Sequence, residues 1–259
     1  MSTTSPQIAQ RLRRIQNALG VTADGMLGPE TLTALEVRLD LAATRKIISL
    51  ACSRRSLEII VQFEIGSRAQ YEKFYSRPTW PGGESGVTIG IGYDLGYTSK
   101  QQFEADWDPF LEKPERAALQ AVQGAKGAGA EQLARGLRNI IIPLAAAESV
   151  FYGSTLPRFA RMTRDALPGV EKLPFDAQGA LLSLVFNRGA SFTGERRAEM
   201  RAIRTELAGA ASLARIADLI EAMQRLWPNT RKLREQRVRE AAMVRASRRT
   251  YGEGERVDL

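Results

Sequence analysis

The chain has 259 residues, 44% of them hydrophobic and 25% charged, with a formal charge of +8, one cysteine and no histidine. Length and composition fit a folded chain of one or two domains with a sizeable core. An intrachain disulfide, Ser-His-Asp and Cys-His catalysis and the usual His-bearing zinc sites are excluded, which leaves carboxylate, hydroxyl, lysine or tyrosine chemistry.

The opening residues, Met1 to Pro6, hold neither a basic region nor an apolar stretch. Synthesis in the cytoplasm without a signal peptide is therefore expected. No apolar run approaches the roughly 18 residues of a membrane span, so no stable membrane insertion is expected. Ile8, Leu12, Ile15 and Leu19 recur at helical spacing and predict an amphipathic helix that Gly20 stops. Asp24-Gly25 predicts a turn. Pro29 suits the first position of a second helix, with Leu32, Leu35 and Leu39 as its buried stripe. These elements form a small helical module over residues 1–42.

Residues 43–259 read as one larger domain. Cys52 lies in an apolar stretch and reads as a buried, inert thiol. A helix is predicted from Ser53 or Arg54 to about Ile65. A Gly- and Pro-containing segment follows, then an alternating, strand-like run from Gly86 to Tyr93. After Tyr97 nearly everything reads helical. Pro114 and Pro143 read as first-turn prolines, and Asp176 as the N-cap of a helix over Ala177 to Asn187. Further helices are expected over about 195–208, 212–226 and 231–248. The tail after Tyr251 reads as short, polar and mobile. The fold class is mainly α (α+β), with one small antiparallel β element.

Glu64 follows Leu57, Ile60 and Val61 by seven, four and three residues, which puts it on the inward stripe of its helix. It also falls near the helix C-terminus, where the dipole disfavours negative charge. Burial and dipole both raise a carboxyl pKa, and a carboxyl protonated near neutrality can act as a general acid. In the strand-like run, Val87, Ile89, Ile91 and Tyr93 share a core face. Thr88, Gly90, Gly92 and Asp94 share the other, whose glycines let a bulky ligand such as a sugar ring approach the backbone. Glu84 and Asp94 are rival candidates for a second carboxylate. Asn187 and Arg188 read either as ligand contacts or as the capped end of a helix. Trp80, Tyr71 and Trp227 read either as stacking surfaces for sugars or as packing. The densest basic run, Arg231 to Arg249, has eight basic and two acidic residues and reads first as a solvated helix face.

Two resemblances connect these features. The segment with Ile15-Gln16-Asn17-Ala18-Leu19-Gly20-Val21, Asp24-Gly25, Leu27-Gly28-Pro29, Thr31 and Ala34-Leu35 resembles the peptidoglycan-binding domain of bacterial wall hydrolases. The larger domain resembles phage-type lysozymes, the endolysin group of glycoside hydrolases. It shares with them a helix-borne Glu64, the run Gly86-Val87-Thr88-Ile89-Gly90-Ile91-Gly92-Tyr93-Asp94, the run Ala180 to Gly189 and the helix around Arg231 to Arg237. The resemblance implies a lysozyme-like fold with Glu64 as catalytic acid and Thr88 positioning water or sugar. Asp94, Tyr93, Asn187, Arg188 and Trp80 are the expected substrate contacts, and no metal or other cofactor is implied. The family's Asp, about six residues before the Thr, is here Gly82, and Glu84 is the substitute. The 24-residue interval from Glu64 to Thr88 is longer than in the compact phage enzymes.

The expected activity is that of a muramidase, hydrolysing the β-1,4 bond between N-acetylmuramic acid and N-acetylglucosamine. A lytic transglycosylase and a non-catalytic wall-binding protein are the alternatives. Peptidoglycan is the expected partner of a monomer, and nucleic acid is not, despite the charge. A signal-less muramidase fits a phage or prophage endolysin released by a holin. It also fits an antibacterial effector carried to the periplasm or wall by a secretion system, which implies a neutralising immunity protein.

Overall fold

The computed structural model describes residues 6–38 and 49–259, in two compact units, Met1–Ile48 and Ser49–Leu259. The boundary expected near residue 42, and Leu39 of the second helix, lie outside the described residues.

The first unit has helices Pro6–Leu19 and Pro29–Arg38. Its apolar stripe is not the buried centre that periodicity predicts: Ile8 is 53% exposed, Ile15 42% and Leu32 44%. The buried centre is polar. Gln16 is fully buried and its amide donates to Asp24 Oδ1 at 2.7 Å, Met26 O at 2.8 Å and Thr31 Oγ1 at 2.8 Å. Its carbonyl accepts from the Gly25 amide at 2.8 Å. A unit this small closes its turn through one fully satisfied glutamine, because two short helices offer little apolar area to bury.

The second unit is mainly helical, as its composition and periodicity predict. Its centre is the helix Phe175–Arg188, in which every residue from Asp176 to Val185 is buried. Apolar and small side chains cover it all round, the pattern of a helix enclosed by others. It packs against Arg54–Ile65, Leu156–Ala166, Arg231–Arg245 and strand β1 (Ala51–Ser53). Gly179 is required there, since a β-carbon at that position would lie 1.9 Å from Ser56 Oγ.

Three elements differ from the sequence expectation. The Gly86 to Tyr93 run is not one strand. It is a hairpin of β2 (Thr88–Ile89) and β3 (Tyr93–Asp94), paired Thr88 with Asp94 and Ile89 with Tyr93. Gly90 and Gly92, at φ +58° and +65°, turn the chain between them. Asp176 does not cap its helix, which starts at Phe175. Its buried carboxylate instead accepts from Ser53, from Arg55 Nε at 3.0 Å and from Arg249 Nε at 2.8 Å. Burial opposes the charge, yet the hydrogen bonds from Arg55, Arg249 and Ser53 hold this carboxyl below the usual range. Finally, the polar tail ends in strand β4 (Arg256–Asp258), antiparallel to β1, with Leu259 buried. Arg249 secures it, bonding Glu255 at 2.7 Å as well as Asp176.

Candidate active site

The helix Arg54–Ile65 starts on Ser53, whose hydroxyl accepts from the Ser56 amide at 3.2 Å, and ends at Gly66, at φ +74°. Leu57, Ile60, Phe63 and Ile65 are buried along it, which fixes its rotation. Glu64 therefore projects from the last turn into packed protein while keeping partial access to solvent. The hairpin turn and the helix Phe175–Arg188 approach it together. A β-carbon built on Gly92 would lie 3.4 Å from Glu64 Oε2 and 3.2 Å from Phe186 Cζ. Phe186 is held in turn by Phe159 and Phe151, at ring-centroid distances of 4.6 and 5.8 Å.

Among the described residues no hydrogen bond or salt bridge satisfies the Glu64 carboxyl. Burial raises its pKa, and the positive charge of Lys232 opposes the rise. The site thus holds a carboxyl that keeps its proton to higher pH than an exposed one, is reachable by solvent and, among the described residues, is not committed to any structural bond. That combination suits proton donation.

The other residues singled out from sequence divide into several settings. Thr88 is partly buried in the hairpin whose turn touches Glu64, and its hydroxyl lies 3.4 Å from Gly86 O. Asp94, opposite Thr88, accepts from the Gly86 amide at 3.0 Å and the Gly96 amide at 2.8 Å, so its carboxylate ties the hairpin to its flanks. Glu84 is exposed in the preceding turn, where its backbone carbonyl accepts from the Tyr97 hydroxyl at 3.0 Å. Tyr93 lies in the core at 2% exposure, its hydroxyl donating to Asp106 at 2.7 Å. Tyr71 is likewise a core residue, donating to Ile142 O at 2.9 Å. Gly90 does not open a ligand surface, because Trp107 and Ala147 occupy the space beside it, each 3.1 Å from where its β-carbon would be.

Asn187 and Arg188 follow Phe186 at the end of the central helix. They line a cleft of about 560 Å³ with Arg196, Arg197 and Trp227. The Arg188 guanidinium lies 4.9 Å from the Trp227 ring centroid. Burial first, then the charges of Arg197 and Arg237, lower its pKa to about 10. Trp80 lies elsewhere, donating from Nε1 to Ser85 O at 3.1 Å and lining a second cleft. Sequence reasoning missed Lys232 and Phe186 as neighbours of Glu64. Both sit in segments that stand out in sequence, but no periodicity links residues so far apart along the chain.

The profile of a family described as a domain of unknown function (DUF8812) matches residues 60–155. This stretch holds Glu64, Trp80, Glu84, Thr88, Tyr93 and Asp94, but neither Asn187 nor Arg188. No curated protein matches the chain. Among the described residues no helix is long and apolar enough to cross a membrane.

Proposed function

We propose that this protein is a peptidoglycan muramidase with Glu64 as its general acid. The observation that carries the reading is the setting of Glu64, a desolvated, solvent-reachable carboxyl without a structural partner, faced by a glycine turn. Glu64 protonates the oxygen that links N-acetylmuramic acid to N-acetylglucosamine, and water attacks the anomeric carbon. Thr88 helps to position the water or the sugar, and the cleft of Asn187, Arg188 and Trp227 takes part of the glycan strand. The first unit, by its resemblance to wall-binding domains, raises the local enzyme concentration on an insoluble substrate. Delivery to the wall by a holin or a secretion system, and an immunity protein in the second case, belong to the same reading. The purified protein should solubilise dye-labelled sacculi, and failure to do so in every buffer from acid to mildly alkaline pH removes the proposal.

One observation favours a second reading, a lytic transglycosylase acting on the same bond. Asp94 is occupied by backbone amides and Glu84 is exposed in a turn, so neither is held ready as a second carboxylate. A single acid suffices when the substrate's own hydroxyl closes on the anomeric carbon.

Lys232 gives a pH prediction. Its charge lowers the Glu64 pKa, so Lys232→Met should raise that pKa further. The rate falls as pH rises through the acid's pKa. The alkaline limb of the pH–rate profile should therefore move to higher pH in the variant. A shift to lower pH would show that Lys232 does not act on the proton donor.

A further inference from the structure

Residues between Glu64 and Thr88 build one wall of a cleft of about 640 Å³, and the helix Ala128–Gly136 with the turn after it builds the other. The cleft is cationic: Lys73 and Arg77 line one side, Arg135 and Arg138 the other. Glu131 is the acid among them, and it is committed to Arg135 at 2.5 Å. Among the described residues no carboxylate pairs with Lys73, Arg77 or Arg138. The Arg77 guanidinium donates to the Arg138 carbonyl, which joins the two walls.

Two aromatic side chains share the lining with these charges. Phe74 is 54% exposed with Lys73 Nζ 5.0 Å from its ring centroid, and Trp80 is half-buried. The cleft is also continuous with the hairpin. Thr79 on its wall pairs with Thr88, amide to carbonyl in both directions, at 2.9 and 2.7 Å. One strand spacing, about 5 Å, thus separates Thr88 from the cleft wall at Thr79.

We propose that this cleft binds the carboxylates of the peptide stems carried by the glycan strand, so that the protein selects peptide-bearing over bare glycan. The proposal rests on the muramidase reading. Guanidinium groups match carboxylates with paired hydrogen bonds, and the aromatic side chains of the same lining suit a ligand that carries sugar rings as well as charges.

The test uses the full-length Glu64→Gln protein, which should bind without cleaving, and titration calorimetry. The probes are a soluble glycan fragment bearing its peptide stems, the same fragment stripped of peptides, a phosphodiester wall polymer and a DNA oligonucleotide. Lys73→Ala/Arg138→Ala in that background changes two exposed side chains. Affinity for the peptide-bearing fragment should fall at least about tenfold when the two cations are removed, with no change for the stripped fragment. The proposal is overturned by an equal loss on both fragments, by no loss, or by no binding of the peptide-bearing fragment to the parent. It is also overturned if the phosphodiester polymer or the DNA binds more tightly through the same two residues. Solubilisation of sacculi by the wild-type protein reports on Glu64 separately. An active enzyme without stem selectivity overturns this proposal and leaves the muramidase reading standing.

Discussion

Glu64→Gln should lower the rate of wall cleavage by at least about 100-fold, the usual minimum for loss of a general acid. Glutamine preserves the shape of the side chain and removes the proton, so the fold should persist. The same substitution has an expected effect on stability whose sign follows from linkage. The folded pKa of Glu64 lies above its ordinary value of 4.5, because burial penalises the charged form. The native state therefore holds this proton more tightly than the unfolded chain does. The stabilisation is fully present below the ordinary value and is lost as pH rises through the raised one. Wild type should thus lose ground to the Gln variant as pH rises. Thermal unfolding at about pH 8 should find the variant more stable than wild type, with that advantage gone near about pH 4. A variant equally destabilised at both values would give the carboxylate a structural role and weaken its assignment as acid.

The second large effect concerns the scaffold. Arg237→Met should cost about 3–5 kcal/mol of folding stability, the usual loss when one partner of a buried ion pair is removed. Arg237 and Glu240 are both 0% exposed and 2.7 Å apart. Ser183 donates to the same Glu240 oxygen at 2.6 Å, and Gln236 donates to Ser183 at 3.2 Å. Burial still raises the Glu240 pKa, even against Arg237 and these hydrogen bonds, and among the described residues its second oxygen has no partner. Without Arg237 the carboxylate has little reason to remain charged. Arg237→Met/Glu240→Leu should recover most of the loss, since both desolvation penalties disappear together. Denaturant unfolding of the two variants separates charge from packing: equal losses in both would assign the effect to packing. The pair also supports the cleft, because Arg237 lies 3.4 Å from Asn187 Oδ1 and 5.6 Å from the Trp227 ring centroid.

Local features were legible in the sequence, and pairings distant along the chain were not. The Glu64 helix is readable because a capping serine, an apolar stripe and a stopping glycine all fall within fourteen residues, Ser53 to Gly66. The turn at Asp24-Gly25 and the proline-led helices at Pro29 and Pro114 follow from equally local chemistry. The tail misleads because Arg256–Asp258 is polar by composition, and its order comes from β1, some two hundred residues earlier in the chain. Asp176 misleads for a related reason. A residue suited to capping is drawn inward by two arginines and a serine from distant segments. In the run from Gly86 to Tyr93, alternation is present but a pair of glycines at positive φ reverses the chain. A two-residue period cannot distinguish a straight strand from the two arms of a short hairpin.

The same limit governs the site. The raised pKa of Glu64 could be reasoned from one helix, whereas its neighbours Gly92, Phe186 and Lys232 come from three separate elements. The cationic cleft is likewise absent from any single window, since its two walls are about sixty residues apart. Neither second-carboxylate candidate gains support from its surroundings. Asp94 is held by backbone amides, and Glu84 sits at the surface.

Mass spectrometry of the fragments released from purified sacculi tests the central claim most directly. Wild type should release muropeptides with intact reducing N-acetylmuramic acid ends, one water heavier than the anhydro form, and Glu64→Gln should release none. Equal release by the two proteins would contradict the assignment of Glu64, and anhydro ends alone would replace the hydrolase with a lytic transglycosylase.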